Sequence, residues 1–438
     1  MSITTRRPDA ATRTELIYLL SRAAELEHSL MCQYLFTAFT LKGAGDDGVT
    51  PRQGRMLLRW SDTLTHIAIQ EMRHLAQVCN LLTAIGGAPV LRRPPFPQYA
   101  TYFSLGIEST LTAFSPQTIH RYMCWEKPAS VEAPGCGTEL DRSRLEQAAR
   151  THVDHLTAIE GLVPEEERRY HSIGELYEII DRGIASMPAR ELFIGPPAAQ
   201  MTNDLIPFRE PLTAVTSHES AHRAIHLIVV EGEGTPSHKP HSDRSHFARF
   251  KEIYQELHLE LERDPRFAPA WPTVDNPVYV FAKDIGSVAP GAHIITNAQA
   301  RRVGALFLAT YDLALHLLLR FFAHTDENPN QLRTLIDAAT SLMSGAIRPL
   351  GITLTHLPAG EPHEPAYQGL FAGPSFETYG SVELLPHMAS AWTSFHERAL
   401  GIAADCQALS CEQDASPRLA DVADVMQFWA RQLERAVS

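Results

Sequence analysis

The sequence predicts an all-α protein built on a four-helix bundle with a broken fourth helix, a Pro-rich insertion and additional C-terminal helices. Three observations carry this. The chain opens with two long helical stretches joined by a short Gly- and Asp-rich loop, the pattern of an antiparallel hairpin. Helical stretches of ordinary length then follow, separated by loops several of which are rich in Gly or Pro. Extended character is confined to one Pro-punctuated segment, and no fixed-period repeat or low-complexity tract is present.

The first helix is expected from about Arg13 to Leu41, stopped by "KGAGDDG", and the second from about Pro51 to Ile85, stopped by Gly86, Gly87 and Pro89. A Pro-rich stretch, "GGAPVLRRPPFPQYA", and a mixed region containing "APGCG" read as an excursion from the bundle, ending near Pro164. A third helix is expected to start near Glu165 and run through "SIGELYEIIDRGIASM". The loop "IGPPAAQMTNDLIPF" leads to a fourth, "SHESAHRAIHLIVVEGEG", which stops at Gly232 and Gly234 and resumes at "RSHFARFKEIYQELHLEL". The segment "WPTVDNPVYVFA" reads as irregular or briefly extended. Helices follow at "AQARRVGALFLATYDLALHLLLRFFA", "NQLRTLIDAATSLMSGAIRPLG", "VELLPHMASAWTSFHERALGIAADC" and near Ala420. This divides the chain into a bundle over residues 1–262, with an insertion at about 90–164, and a helical extension over 263–438 packed on it.

Composition narrows the function. A net charge of −13 without a basic run disfavours nucleic acid and anionic membranes and makes a small molecule the default partner. "MSITTRRPDAATRTEL" lacks the apolar stretch of a secretory signal. The apolar run "LALHLLLRFFA" is broken by His316 and Arg320 and reads as too short to span a bilayer, so a cytoplasmic protein is expected. The cysteines, at 32, 79, 124, 136, 406 and 411, form no Cys-x-x-Cys pair and read as buried or free thiols.

The chemistry is read from Glu-x-x-His pairs, of which there are three: Glu25/His28, Glu71/His74 and Glu219/His222. About one or two would arise by chance. On the second helix the apolar stripe is Leu57, Leu64, Ile67, Leu75, Val78, Leu82 and Ile85, with His66, Gln70, Arg73, Gln77 and Asn80 turned away. Glu71 falls at the centre of that stripe and His74 on its flank. A buried ionised glutamate costs several kcal/mol unless it is paired or bound to a metal. On the first helix Glu27 lies within the stripe of Leu16, Leu20, Ala24, Met31, Tyr34 and Ala38, which makes Glu25/His28 the chance match and leaves His28 as a neighbour of the site. One inward glutamate, with a Glu-x-x-His on the hairpin partner, makes half of a carboxylate-bridged dinuclear site. Carboxylates bridge and neutralise two ions; histidines cap them and leave positions open.

The other half is less defined. Glu175 and Glu178 lie off the stripe of Ile173, Leu176, Tyr177, Ile180 and Ile184, and periodicity alone places them at the surface. Glu219, His222, His226 and Glu233 share one face of the fourth helix. Glu27, Glu71 and Glu175 each lie near mid-helix, which favours Glu233 and His246, flanking the Gly-rich break, over Glu219 and His222.

The blocks "AAELEHSLMCQYLFTAFTLK", "QEMRHLAQVCNLLTAIGGAPVL", "SIGELYEIIDRG", "IVVEGEG", "SHFARFKEIY" and "AGPSFETYG" resemble, in order, those of the ferritin-like domain of iminophenyl-pyruvate (indole-pyruvate imine) dimer synthases, which act in violacein and indolocarbazole pathways. The resemblance implies Glu27, Glu71, His74, Glu175, Glu233 and His246 as metal ligands. The sequence departs from that pattern in reading "VEGEG" where the family commonly has "EQGEG", and in the histidine-rich start of its fourth helix. The implied protein is a nonhaem dinuclear metalloenzyme holding two Fe ions, with Mn or a mixed pair as the alternative. It would use O2 or peroxide to oxidise a small, amino-acid-derived substrate, with oxidative imine coupling as the specific form. Tyr34 and Met31 would line the pocket or belong to the core. A ferroxidase or metal-handling protein without organic substrate, and a metal-free structural partner, are the competing readings; a homo-oligomer stays open.

Overall fold

A computed structural model describes residues 12–98, 103, 105–131, 136, 170, 172–206, 208, 211–233, 244–279, 289–323, 326–378, 382–413 and 415–437. Helix α1 (Arg13–Thr40) starts in a capping box of Thr12 and Glu15, and α2 (Pro51–Ala84) in one of Thr50 and Gln53 with Pro51 in its first turn. Both boxes satisfy backbone donors that a helix start leaves open. Gly86, at φ +81°, ends α2 in a conformation that favours glycine. The two helices pack against each other as the expected hairpin.

Helix α3 (Pro116–Trp125) lies inside the stretch read as an excursion, capped by Ser115. It packs on the second half of α1, where Tyr122 donates to the Gln33 carbonyl at 2.9 Å and its hydroxyl lies 2.6 Å from that of Thr37. Helix α4 (Ile173–Ser186) begins at its own cap, Ser172, rather than near Glu165, and packs on the first half of α1. Residues 165–169 and 171 lie outside the described residues. Helix α5 (His218–Gly232) closes the ring by touching α4 and α2. Helix α6 (His246–Arg263), capped by Ser245, packs on α3 and on the first half of α2, where Gln53 donates to Glu260 at 2.9 Å and the Trp60 indole to Glu256 at 2.7 Å.

The bundle is therefore two continuous helices flanked by two interrupted lines, α3 then α4 beside α1 and α5 then α6 beside α2. Both interruptions fall at the height of Glu27 and Glu71.

Two helix faces that lie off the apolar stripes are covered. On α2, Gln70, Arg73, Gln77 and Asn80 are buried: Asn80 donates to Met201 O at 2.7 Å and Gln77 to Thr213 O at 2.9 Å, while Gln70 accepts from Arg249 at 2.9 Å and Arg73 pairs with Glu231. Helix α1 is buried on every side from Leu26 to Thr40, since the C-terminal helices pack on its outer face. Of the C-terminal helices α7 (Ala298–Ala323), α8 (Pro329–Leu342), α9 (Arg348–Leu354), α10 (Met388–Ser410) and α11 (Arg418–Arg435), it is α7 and α9 that meet α1. Thr355 donates to Phe39 O at 3.2 Å, and the Tyr311 hydroxyl lies 2.5 Å from His28 Nε2. The helix expected as one piece after Asn330 is split by a π turn, Met343–Ile347, just before Pro349, whose ring nitrogen has no N–H to continue the ladder. The briefly extended segment forms a two-residue strand, β1 (Pro277–Val278), parallel to β2 (His293–Ile294).

Two sequence readings are corrected. The run containing His316 and Arg320 belongs to α7, which by length and hydropathy alone could cross a membrane, but 78% of its most apolar window is buried inside the protein, so packing accounts for its composition. Cys124 and Cys136 are joined in a disulfide rather than standing as thiols; Cys32, Cys79 and Cys406 are buried and free, Cys411 exposed and free.

Candidate metal centre

Glu27 on α1, Glu71 and His74 on α2, Glu126 at the end of α3 and His246 in the first turn of α6 converge at the height of the interruptions. Each is at most 2% exposed. They form two groups that share Glu71, and in each group the ligating atoms lie within 4.8 Å of one another. In the first, His74 Nδ1 is 3.0 Å from Glu71 Oε2 and 3.5 Å from Glu27 Oε2. In the second, His246 Nδ1 is 2.9 Å from Glu71 Oε1 and 3.5 Å from Glu126 Oε1. The two oxygens of Glu71 thus face different groups. Each outer carboxylate is held from behind by a buried phenol: Tyr177 donates to Glu27, and Tyr34 to Glu126 at 2.5 Å.

Polar satisfaction is incomplete where a ligand would bind. Both ring nitrogens of His246 and Glu71 Oε1 are buried without a hydrogen-bond partner, although two of these atoms are 2.9 Å apart. Buried polar atoms are otherwise nearly always paired, so converging lone pairs without a donor between them fit a cation site. His74 is organised from the far side: its Nε2 is 3.0 Å from Glu231 Oε2, and Glu231 is paired with Arg73. A carboxylate on the remote nitrogen fixes the tautomer that leaves Nδ1 free to ligate.

Electrostatics agree. Burial, then the charges of Glu126 and Glu27, push the Glu71 carboxyl well above the usual carboxylate range. Burial also acts to raise Glu27, but hydrogen bonds with His74, Glu71 and Tyr177 outweigh it and hold that carboxyl low. Burial takes His74 down to about 4 despite the pull of Glu27, so its ring is neutral near pH 7. Three carboxylates in a dry cage repel one another, and divalent cations would remove that repulsion.

Of the expected ligands, Glu27, Glu71, His74 and His246 are brought together, while Glu175 and Glu233 lie outside both groups. Glu175 stands in the first turn of α4, half-buried, its backbone N–H given to Ser172 Oγ. Glu233 caps α5, and its Oε1 accepts the Gly174 N–H at 2.6 Å; burial raises its carboxyl to about 7. A Cβ on Gly174 would lie 2.5 Å from that carboxylate and would displace it. The rival pair is on the outer surface: Glu219 is exposed and paired with Arg223, and His222 is exposed and 2.7 Å from Asp181. Glu25, of the third Glu-x-x-His, faces away and pairs with Arg22 at 2.9 Å.

Glu126 and Glu231 were not singled out by the sequence. Glu126 ends "SPQTIHRYMCWE", whose Ser-Pro start and apolar Ile119, Tyr122 and Met123 carry a short helix signal inside a Pro- and Gly-rich region. Glu231 is the first of the two acids in "VEGEG".

Comparison with known proteins gives a consistent result. The family described as ferritin-like matches over residues 20–255. The chain is 26% identical over 375 residues to the 2-imino-3-(indol-3-yl)propanoate dimerase of Chromobacterium violaceum, covering 80% of this chain and 33% of that protein. It is 25% identical over 397 residues to the dichlorochromopyrrolate synthase of Lentzea aerocolonigenes, covering 84% of this chain and 36% of that one. It thus spans about a third of the length of these curated relatives. A crystal structure of a ferritin-like protein from Caulobacter vibrioides aligns at a TM-score of 0.45 and 19% identity, over 78% of this chain and 99% of that one.

Proposed function

The chain belongs to the ferritin-like family, and from that premise we propose that it is a nonhaem dinuclear metalloenzyme that oxidises a small organic substrate with O2 or peroxide. The observation that carries this reading is Glu71, whose two oxygens face two separate groups that each supply one more glutamate and one histidine. Glu27 and His74 would hold one ion, Glu126 and His246 the other, and Glu71 both. Glu175 and Glu233, which the resemblance adds to the ligand set, would join it only by a change of side-chain conformation. Carboxylate and imidazole donors suit iron, with manganese or a mixed pair the alternatives. Such ions, when bound, supply Lewis acidity and redox electrons.

The protein's own contribution is preorganisation and exclusion. Tyr34 and Tyr177 keep the outer carboxylates turned toward the cage, and Arg73 with Glu231 keeps the His74 ring in one orientation. Burial of all five ligating side chains keeps bulk water from the reacting atoms. The dimerase's name gives the substrate class we propose here, an amino-acid-derived imine, with oxidative coupling as the specific reaction.

The test is metal content followed by oxygen uptake on the full chain purified without chelator. Two metal ions per chain and O2 consumption that depends on an imine generated from an aromatic amino acid are expected. Uptake driven by Fe(II) alone would indicate metal handling instead, and a metal-free chain would remove the enzyme reading.

A further inference from the structure

A second donor cluster, anchored on α3, shares no residue with the carboxylate cage. His120 and Cys124 are one helical turn apart on α3 and share a face, with His120 Nδ1 3.8 Å from Cys124 Sγ. Cys136 reaches the same place and is bonded to Cys124. The three donor atoms lie within 4.8 Å of one another. Cys124 is buried, whereas His120 and Cys136 are half-buried, so a reductant or an ion can approach. Among the described residues the other cysteines join no such donor cluster: Cys32, Cys79 and Cys406 are buried and free, and Cys411 is exposed and free.

We propose that Cys124 and Cys136 form a reversible thiol pair whose reduced form, together with His120, binds a soft or borderline divalent cation such as Zn2+. This site is separate from the carboxylate cage and does not depend on how the cage is read. Two sulfurs and one imidazole are the donors that select such ions over Mg2+ or Ca2+, and three protein ligands leave a fourth position for water. A small-molecule or protein dithiol supplies two electrons and two protons; the Cys124–Cys136 bond breaks, two thiols form, and the reductant leaves as its own disulfide. The entering cation then displaces the two thiol protons and restores a cross-link between the same residues. Because Cys124 is two positions before Glu126, either link fastens the helical turn that delivers Glu126 to the cage.

The test uses the full chain in two samples, one oxidised with diamide and one reduced with dithiothreitol, each freed of reagent without air and then given Co2+. Thiols counted after denaturation should be two higher in the reduced sample. Only that sample should develop a thiolate-to-cobalt charge-transfer band in the near ultraviolet, which the oxygen- and nitrogen-lined cage cannot give. Cys136→Ser should abolish the band, and His120→Ala should weaken cobalt binding while leaving the thiol count unchanged. Equal thiol counts in the two samples would overturn the reversible pair. Extra thiols without the band, whether or not cobalt binds elsewhere, would overturn the metal site.

Discussion

Glu71 and Glu25 are both glutamates followed three residues later by histidine, yet their surroundings differ completely. Glu71→Ala should remove the shared ligand and abolish tight binding of both ions, measured as metal per chain after dialysis, whereas Glu25→Ala should leave the content unchanged because Glu25 belongs to neither ligand group and pairs with Arg22 and Arg92. The helical wheel separates these two residues because Glu71 interrupts an apolar stripe. It has no such purchase on Glu126, which follows a short helix in a Pro-rich region, or on Glu233, whose acceptor role depends on a backbone N–H from another helix. Glu233 yields a pH prediction for the metal-free protein. Its carboxyl rises from 4.5 to about 7 on folding, so the folded state holds a proton that the unfolded state releases. Stability from this group is fully present below pH 4.5 and is lost as the pH rises through 7. Glu233→Gln keeps an acceptor for Gly174 and cannot ionise. Relative to wild type it should gain about 2.5 kcal/mol in urea unfolding between pH 5 and pH 8.

At the scale of elements, the long helices were legible because caps, stripes and Gly stops coincide at Thr12, Thr50, Pro51 and Gly86. What was not legible is the covering of their polar faces. Gln77 and Asn80 look like solvent-facing residues until Thr213 and Met201 come over them and accept their amide protons. Periodicity reports one face of one helix and is blind to a partner distant in sequence. The contact of α9 with α1 is equally nonlocal and equally tight: a Cβ on Gly351 would come within 2.7 Å of the Phe39 ring. Gly351→Ala should therefore destabilise the protein by about 1–3 kcal/mol through overpacking, visible as a lowered Tm with secondary structure unchanged.

Across the whole molecule, the two interruptions lie at one level, and among the described residues the α1–α2 hairpin is the main continuous structure crossing it. The proposed ligands come from four segments, at residues 27, 71–74, 126 and 246. Two cations seated among them would act as a staple, tying α3 and α6 to the hairpin, and their binding energy would become folding energy. A ligand at a hundred times its Kd stabilises the native state by about 2.7 kcal/mol, so added metal should raise the Tm of wild type and leave that of Glu71→Ala where it was. Without the ions, α3 and α6 should be the first elements to open in hydrogen exchange, while the interiors of α1 and α2 stay protected.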